Sequence, residues 1–247
     1  MAEIRTDIAE TFERKRVAFY ECDYKERFRL SEVLRLSAEI AGRDYTDKGL
    51  SHEYLWQHGM VFLVSKVSFK IYKYPTSQQK LISSTWESGK KGAMFMRGFE
   101  IKSEDGERLV AGDAGWVLAN PETRRIIRPS SFPYSMPQIR NRESGALPIA
   151  KIATENPGKL GEYQVKISDI DGNGHLYNAN YADIAINFLP IEFYGKDVDN
   201  FRIDFISEAK LGDVIEIYGE ILEDKAVVMG TVEGKKCFEC EFISKTD

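Results

Sequence analysis

The chain has 247 residues, 43% of them apolar and 30% charged, with three cysteines, three histidines and a formal net charge of −5 at pH 7. That length fits one large domain or two of about 120 residues. The acidic balance argues against a nucleic-acid partner, no apolar run approaches the ~18 residues of a membrane helix, and an odd, small cysteine count favours a reducing compartment such as the cytoplasm over a disulfide framework.

The opening stretch MAEIRTDIAETFERKR lacks the apolar core of a signal peptide. Residues 16–24, RVAFYECDY, are aromatic and β-branched and predict a strand. Leu30, Val33, Leu34, Ala38, Ala41 and Tyr45 then fall on one helix face, with Gly49 as its stop. Four strand-like runs follow, MVFLVSKVSFKIYKY, KLISSTWES, GAMFMRGFEIKS and RLVAGDAGWVLAN; SEDGE between the last two signals a hairpin turn. His52 and His58 flank EYLWQ and are expected on the surface or in a loop.

From Pro121 to Pro157 the periodicity fades. PETRRIIRPSSFPYSMPQIRNRESGALP holds five prolines and reads as a linker crossing a surface. Then the order repeats. YQVKISDID predicts a strand, and Tyr181, Ile184, Ala185 and Phe188 lie at helical spacing before Pro190. NFRIDFISEAKLGDVIEIYGEIL, AVVMGTVEG and KCFECEFIS read as strands. The expectation is an α+β fold of two units, 8–130 and 150–247, joined by a linker over 131–149 and meeting sheet edge to sheet edge or helix to helix.

One segment breaks the alternation of apolar and charged residues. In SDIDGNGHLYNANY, residues 168–181, Asp171, Asn173 and His175 alternate with Gly172 and Gly174. An extended backbone would put the three polar side chains on one side, and the glycines let it approach a ligand closely. A helix follows at once, with Asn178 or Asn180 as candidate cap and free N–H donors suited to an oxyanion. On residue types alone two readings stand: a catalytic constellation, or a hydrophilic turn in which Asp and Asn make local bonds and His175 is incidental.

The segment resembles the D-x-N-x-H-V-N-N-x-x-Y signature of acyl-acyl-carrier-protein thioesterases, standing here as Asp171, Asn173, His175, Leu176, Tyr177, Asn178 and Tyr181. VAFYECDYKERFRLSEVLRLSAEIAGRDYTDKG is similar to that family's opening strand and helix, and RIDFISEAKLGD resembles the strand carrying its remaining catalytic acid, which maps to Glu208. The resemblance spans nearly the whole chain. It implies a tandem double hotdog, each unit a long helix wrapped by an antiparallel sheet, with a non-catalytic N-terminal unit shaping the acyl pocket. It implies hydrolysis of acyl-acyl-carrier-protein to free fatty acid in fatty acid biosynthesis, with Asp171, Asn173, His175 and Glu208 catalytic. An acyl-coenzyme A thioesterase and a non-catalytic acyl-binding protein are the alternatives. Neither cofactor nor metal is expected: CFEC, with Cys237 and Cys240, is a lone C-x-x-C pair whose cysteines would point to opposite faces of a strand.

Two departures from the family pattern matter. Plant members place a cysteine after the catalytic glutamate, where this chain has Ala209, so water is the simpler nucleophile; Leu176 and Tyr177 replace valine and asparagine. In the first unit the matching positions are Asp23, Lys25 and Arg27, with Tyr72 opposite Glu208, so one active site per chain is expected. Met60, Phe62 and Phe69 are candidates for the acyl pocket or for ordinary core. The basic residues Lys90, Lys91, Arg124, Arg125 and Arg128 could meet an acidic carrier protein. A homodimer is left open.

Overall fold

In a computed structural model of the chain, residues 4, 5 and 7–245 are described. Among them, eleven strands form one antiparallel sheet. The first five are β1 (Glu10–Arg16), β2 (Val61–Ile71), β3 (Lys80–Lys91), β4 (Met94–Ser103) and β5 (Arg108–Ala119). A short β6 (Ile126–Ile127) pairs with β5. The rest are β7 (Gly158–Gln164), β8 (Val198–Phe205), β9 (Val214–Ile221), β10 (Lys225–Val232) and β11 (Lys235–Ser244). The helices are α1 (Leu30–Asp47), α2 (His52–Gln57), α3 (Asn180–Asn187) and α4 (Ile191–Tyr194).

The strand order β1-β3-β4-β5-β2-β8-β11-β10-β9-β7 reads the same from both ends once the second half is matched to the first. Its centre is the antiparallel β2–β8 pair, with Ser68 opposite Arg202 and Phe69 opposite Phe201. Of the two arrangements expected, sheet edge to sheet edge or helix to helix, the β2–β8 pair is the first, and it removes two edges that would otherwise be open. Phe69 and Phe201 are fully buried and meet in a tilted pair with ring centroids 5.1 Å apart, continuing the core across the seam.

Of the α1 face foreseen from spacing, Leu30, Val33, Leu34 and Ala41 are buried and Ala38 and Tyr45 half-buried, and Leu36 and Ile40 beside it are buried too; the helix packs on β3 and β1. Gly49 ends the helix at φ +80°, with its N–H on Thr46 O and the Leu50 N–H on Tyr45 O. Only a residue tolerant of the left-handed region closes a helix this way cheaply. α3 packs on β11 and on α1. Arg35 of α1 ties the helices by donating to Asn180 and pairing with Asp183.

Two expected strands are displaced. Residues 17–24 are not a strand: β1 ends at Arg16, and Phe19–Glu21 form a 3-10 turn in which Phe19 and Tyr20 are exposed. Likewise β7 ends at Gln164 and Ile167–Asp169 form a second 3-10 turn. EYLWQ lies in α2, with His52 opening the helix and His58 at its C-cap, and both histidines are on the surface, one of the two places expected for them. The segment after β6 leads to β7 with only one short 3-10 turn, Pro129–Ser131. It lies over the central strands, where Ser68 Oγ donates to Leu147 O, the Leu147 N–H to Asn200 Oδ1, and Arg202 to Pro148 O. No described helix is long and apolar enough to cross a membrane.

Candidate active site

Each half turns from its edge strand into its first helix through the same tight loop. In the second half, Asp171 N–H donates to His175 O at 2.9 Å, and Asp171 Oδ1 accepts the N–H groups of Asn173 (2.8 Å) and His175 (3.3 Å). Gly174 lies at φ +81°. In the first half, Asp23 N–H donates to Arg27 O, Asp23 Oδ1 accepts the N–H groups of Lys25 and Arg27, and Glu26 sits at φ +60°. The polar residues thus meet in an aspartate-centred turn, not through alternation along an extended strand. One aspartate turn thus carries Asp171, Asn173 and His175 together.

The loop is anchored to the strand-exit segment at 208–210. Leu176 N–H donates to Ala209 O at 2.8 Å, and His175 bridges Lys210. The Ala209 N–H donates to the Tyr181 hydroxyl at 3.0 Å. His175 Nε2 comes to 3.2 Å from Glu208 Oε2. All four expected residues, Asp171, Asn173, His175 and Glu208, line one cavity of about 610 Å³. Both carboxyl oxygens of Asp171 serve the turn, the second meeting Asn173 Nδ2 at 3.4 Å. Glu208 is the acid that meets the imidazole.

Asn178 and Asn180 do not cap α3. Ala179 occupies the N-cap without a side-chain bond, while Asn180 Nδ2 donates to Asp169 O. The N–H groups of Asn180, Tyr181 and Ala182 are spent on the carbonyls of Tyr177, Asn178 and Ala179. These three amides are not free for an oxyanion.

The equivalent place in the first half is closed. Phe28 N–H donates to Pro75 O as Leu176 does to Ala209 O, so Tyr74, not Tyr72, stands where Glu208 does. The Arg27 guanidinium lies 4.9 Å from the Tyr74 ring and pairs with Asp23 and Asp197, each at 2.9 Å. Burial alone would raise Asp23, but the Arg27 N–H, the Tyr194 hydroxyl and the Arg27 charge outweigh it and hold the carboxyl below its usual range. Tyr72 instead donates to Ser144 O.

The large cavity is bounded by Leu34 and Ala38 of α1, by β2 and by β5. A second cavity of about 270 Å³ shares Ala38, Phe62 and Trp116 with it. Leu50, Leu55 and Phe95 give the smaller one apolar walls, and Tyr45, Glu87 and Arg97 a polar one. Of the residues proposed for an acyl pocket, Phe62 lines both cavities, whereas Met60 and Phe69 line neither and are buried core. Sequence reasoning missed Ala38, Trp116 and Arg124 as lining residues; only Arg124 carried a signal, as part of a basic cluster.

The three thiols are free and buried, and none lines either cavity. Burial pushes Cys237 up to about 12 and holds Cys240 well above the usual thiol range, which suppresses the nucleophilic thiolate. Ala209 is fully buried. Lys90 and Lys91 are committed to the carbonyls of Pro129 and Ile149, and Arg124 to Glu208 at 2.8 Å. Arg125 and Arg128 are exposed and make no ion pair among the described residues.

The sequence pattern described as acyl-ACP thioesterase N-terminal domain matches residues 9–130, and the corresponding C-terminal domain matches residues 153–242. A chloroplastic acyl-acyl-carrier-protein hydrolase of Cuphea viscosissima is 25% identical over 171 residues, or 64% of this chain; the match spans 40% of that relative's length. The structure of an acyl-ACP thioesterase from Bacteroides thetaiotaomicron superposes with a TM-score of 0.86 at 18% identity, covering 96% of this chain and 98% of that one. The 12:0-ACP thioesterase from Umbellularia californica gives 0.81 at 14% identity, with coverage of 96% and 98%. These two likenesses establish the fold, and the two domain matches together cover most of the sequence. The chain belongs to the acyl-ACP thioesterase family.

Proposed function

We propose that the chain hydrolyses the thioester of an acyl-acyl-carrier-protein, releasing a free fatty acid and the carrier thiol. The observation that carries this reading is the meeting of His175 and Glu208 at 3.2 Å in a cavity that adjoins a second, largely apolar one. Water attacks the carbonyl carbon and the carbon–sulfur bond breaks. Glu208 takes a proton from the water. Asn173 Nδ2 donates to the developing oxyanion, and the proton taken by Glu208 moves through His175 to the leaving thiolate, which restores both groups. Asp171 holds the turn that presents Asn173 and His175. The missing thiol at Ala209 and the suppressed thiols elsewhere support water over a covalent intermediate.

The same reading divides the chain into an N-terminal hotdog over 8–130, a linker over 131–149 and a catalytic C-terminal hotdog over 150–247. The strand order symmetric about β2–β8 and the repeated aspartate turns support the tandem arrangement. One active site per chain is supported by Arg27 and Tyr74 filling the equivalent place. The three free thiols accord with a cytoplasmic, reducing setting.

The acyl chain would run from Glu208 past Ala38 into the smaller cavity. Ala38→Phe is expected to obstruct that passage, lowering kcat/KM on the longest chains of an acyl panel by about tenfold or more while sparing the shortest. Equal effects at every length would place the chain elsewhere.

The test of the function is hydrolysis of one acyl chain on two carriers. The thioester is common to both, so discrimination comes from contacts outside the cavity, where Arg125 and Arg128 offer positive charge. Higher kcat/KM on acyl-carrier-protein than on coenzyme A at low salt, narrowing as salt rises, is the expected result. Equal or better use of coenzyme A would reassign the carrier and leave the chemistry in place.

A further inference from the structure

Glu208 is held from both sides. Its Oε2 takes Arg124 Nη1 at 2.8 Å and faces His175 Nε2 at 3.2 Å, while Oε1 has no hydrogen-bond partner among the described residues. Arg124 comes from the turn after β5, 84 positions earlier in sequence, and so crosses from the first half of the molecule to the second.

That turn is built to hold one backbone position. Asn120 Oδ1 accepts the N–H groups of Glu122 (3.1 Å) and Thr123 (2.8 Å) and the Thr123 hydroxyl (3.0 Å). Asn120 N–H donates to Arg125 O, and the Arg124 N–H to Asn120 O. Asn120 Nδ2 donates to Gly59 O at 3.2 Å, which fixes the turn to the segment before β2. The β5–β6 pairing closes its base. Within this frame Arg124 adopts φ +59°, the left-handed region that glycine or asparagine fills at lower cost. An arginine there works against local preference. The ion pair does not compensate through stability, because Arg124 and Glu208 are 63% and 37% exposed and exposed pairs stabilise little.

We propose that Arg124 is a positioning residue: it fixes the Glu208 carboxylate so that Oε2 faces His175 and Oε1 is left for the water. This rests on the reading of Glu208 as general base given above. A carboxylate free to rotate would lose the alignment, and misplacement on the scale of an ångström is costly in turnover.

The test uses the full chain with Arg124→Gln, Arg124→Ala and Arg124→Lys, on an acyl-carrier-protein substrate and on the same acyl group carried by pantetheine, which has neither phosphate nor protein. Arg124→Gln is expected to lower kcat about tenfold or more on both substrates with KM nearly unchanged. Arg124→Lys should restore part of the loss, as should methylguanidinium added to Arg124→Ala. A rise in KM with kcat kept, or a defect confined to the carrier-protein substrate, would overturn the proposal and make Arg124 a carrier contact. Wild type that hydrolyses both substrates, with Arg124→Gln equally fast, would overturn it alone. Wild type that hydrolyses neither would overturn the proposed function and this inference with it.

Discussion

His175→Ala and Asn173→Ala are each expected to lower kcat by about 100-fold or more, the usual cost of a lost proton-transfer group or oxyanion donor, with an unchanged circular dichroism spectrum. The fold should survive because the loop is built from backbone bonds and from Asp171. Asp171 N–H still donates to residue 175 O, and Asp171 Oδ1 still accepts the N–H groups of residues 173 and 175, whatever side chains those positions carry. Among the described residues the His175 side chain has one polar contact, Glu208, and the Asn173 amide meets only Asp171, at 3.4 Å. Removing either orphans no buried group. Asp171→Ala would be a poor comparison, since it deletes the acceptor that shapes the turn. Near-normal turnover in either folded variant would refute the roles assigned to them.

That dependence on backbone bonds also marks what could be read in advance. The side chains of the site were legible because Asp, Asn and His at alternate positions are costly anywhere but in a turn or a site. Their geometry was not, because the aspartate turn closes through N–H groups that every residue but proline carries. The offset between halves was misjudged for a related reason. Tyr72 and Glu208 align by strand similarity, but the backbone bonds Phe28–Pro75 and Leu176–Ala209 place Tyr74 opposite Glu208. Arg124 was visible only as charge; that its backbone sits at positive φ and its guanidinium on Glu208 depends on a turn held together by one asparagine.

The misplaced strands have a single physical explanation. β1 and β7 are the two ends of the sheet, each paired on one side only. Edge strands are kept soluble by charge, and ETFERKR and GKLGEYQ are charged or glycine-interrupted. Hydrophobic periodicity passes over such segments. It settles instead on the apolar residues just after them, which feed the 3-10 turns: Val17 and Val165 are buried, while Phe19, Tyr20 and Ile167 are exposed. The interior strands, buried more evenly, were read at nearly their true positions.

The largest effect on stability is expected at Arg97. Its guanidinium is almost fully buried and pairs with Asp44 at 2.8 Å and Glu87 at 2.6 Å. Asp44 also takes Lys48 Nζ at 2.7 Å and the Thr11 hydroxyl at 2.7 Å, and Glu87 takes the Tyr45 hydroxyl at 3.0 Å. Two carboxylates thus face two cations with little water. Arg97→Met leaves two carboxylates and one ammonium: Asp44 keeps Lys48, but Glu87 keeps only a phenol. Stranding a buried charge in this way costs about 3–5 kcal/mol, read as a lower urea midpoint at unchanged slope. Adding Glu87→Gln should recover part of the loss, because it removes the stranded charge, and the double-mutant cycle measures how much. Arg97, Glu87 and Tyr45 also form the polar wall of the smaller cavity. If the acyl chain ends there, an apolar methionine in that wall should move the preference of the folded enzyme toward longer chains. A loss below about 1 kcal/mol would mean that water reaches Glu87 and screens it, as it does exposed pairs, and the wall would then not be the dry end that limits the chain.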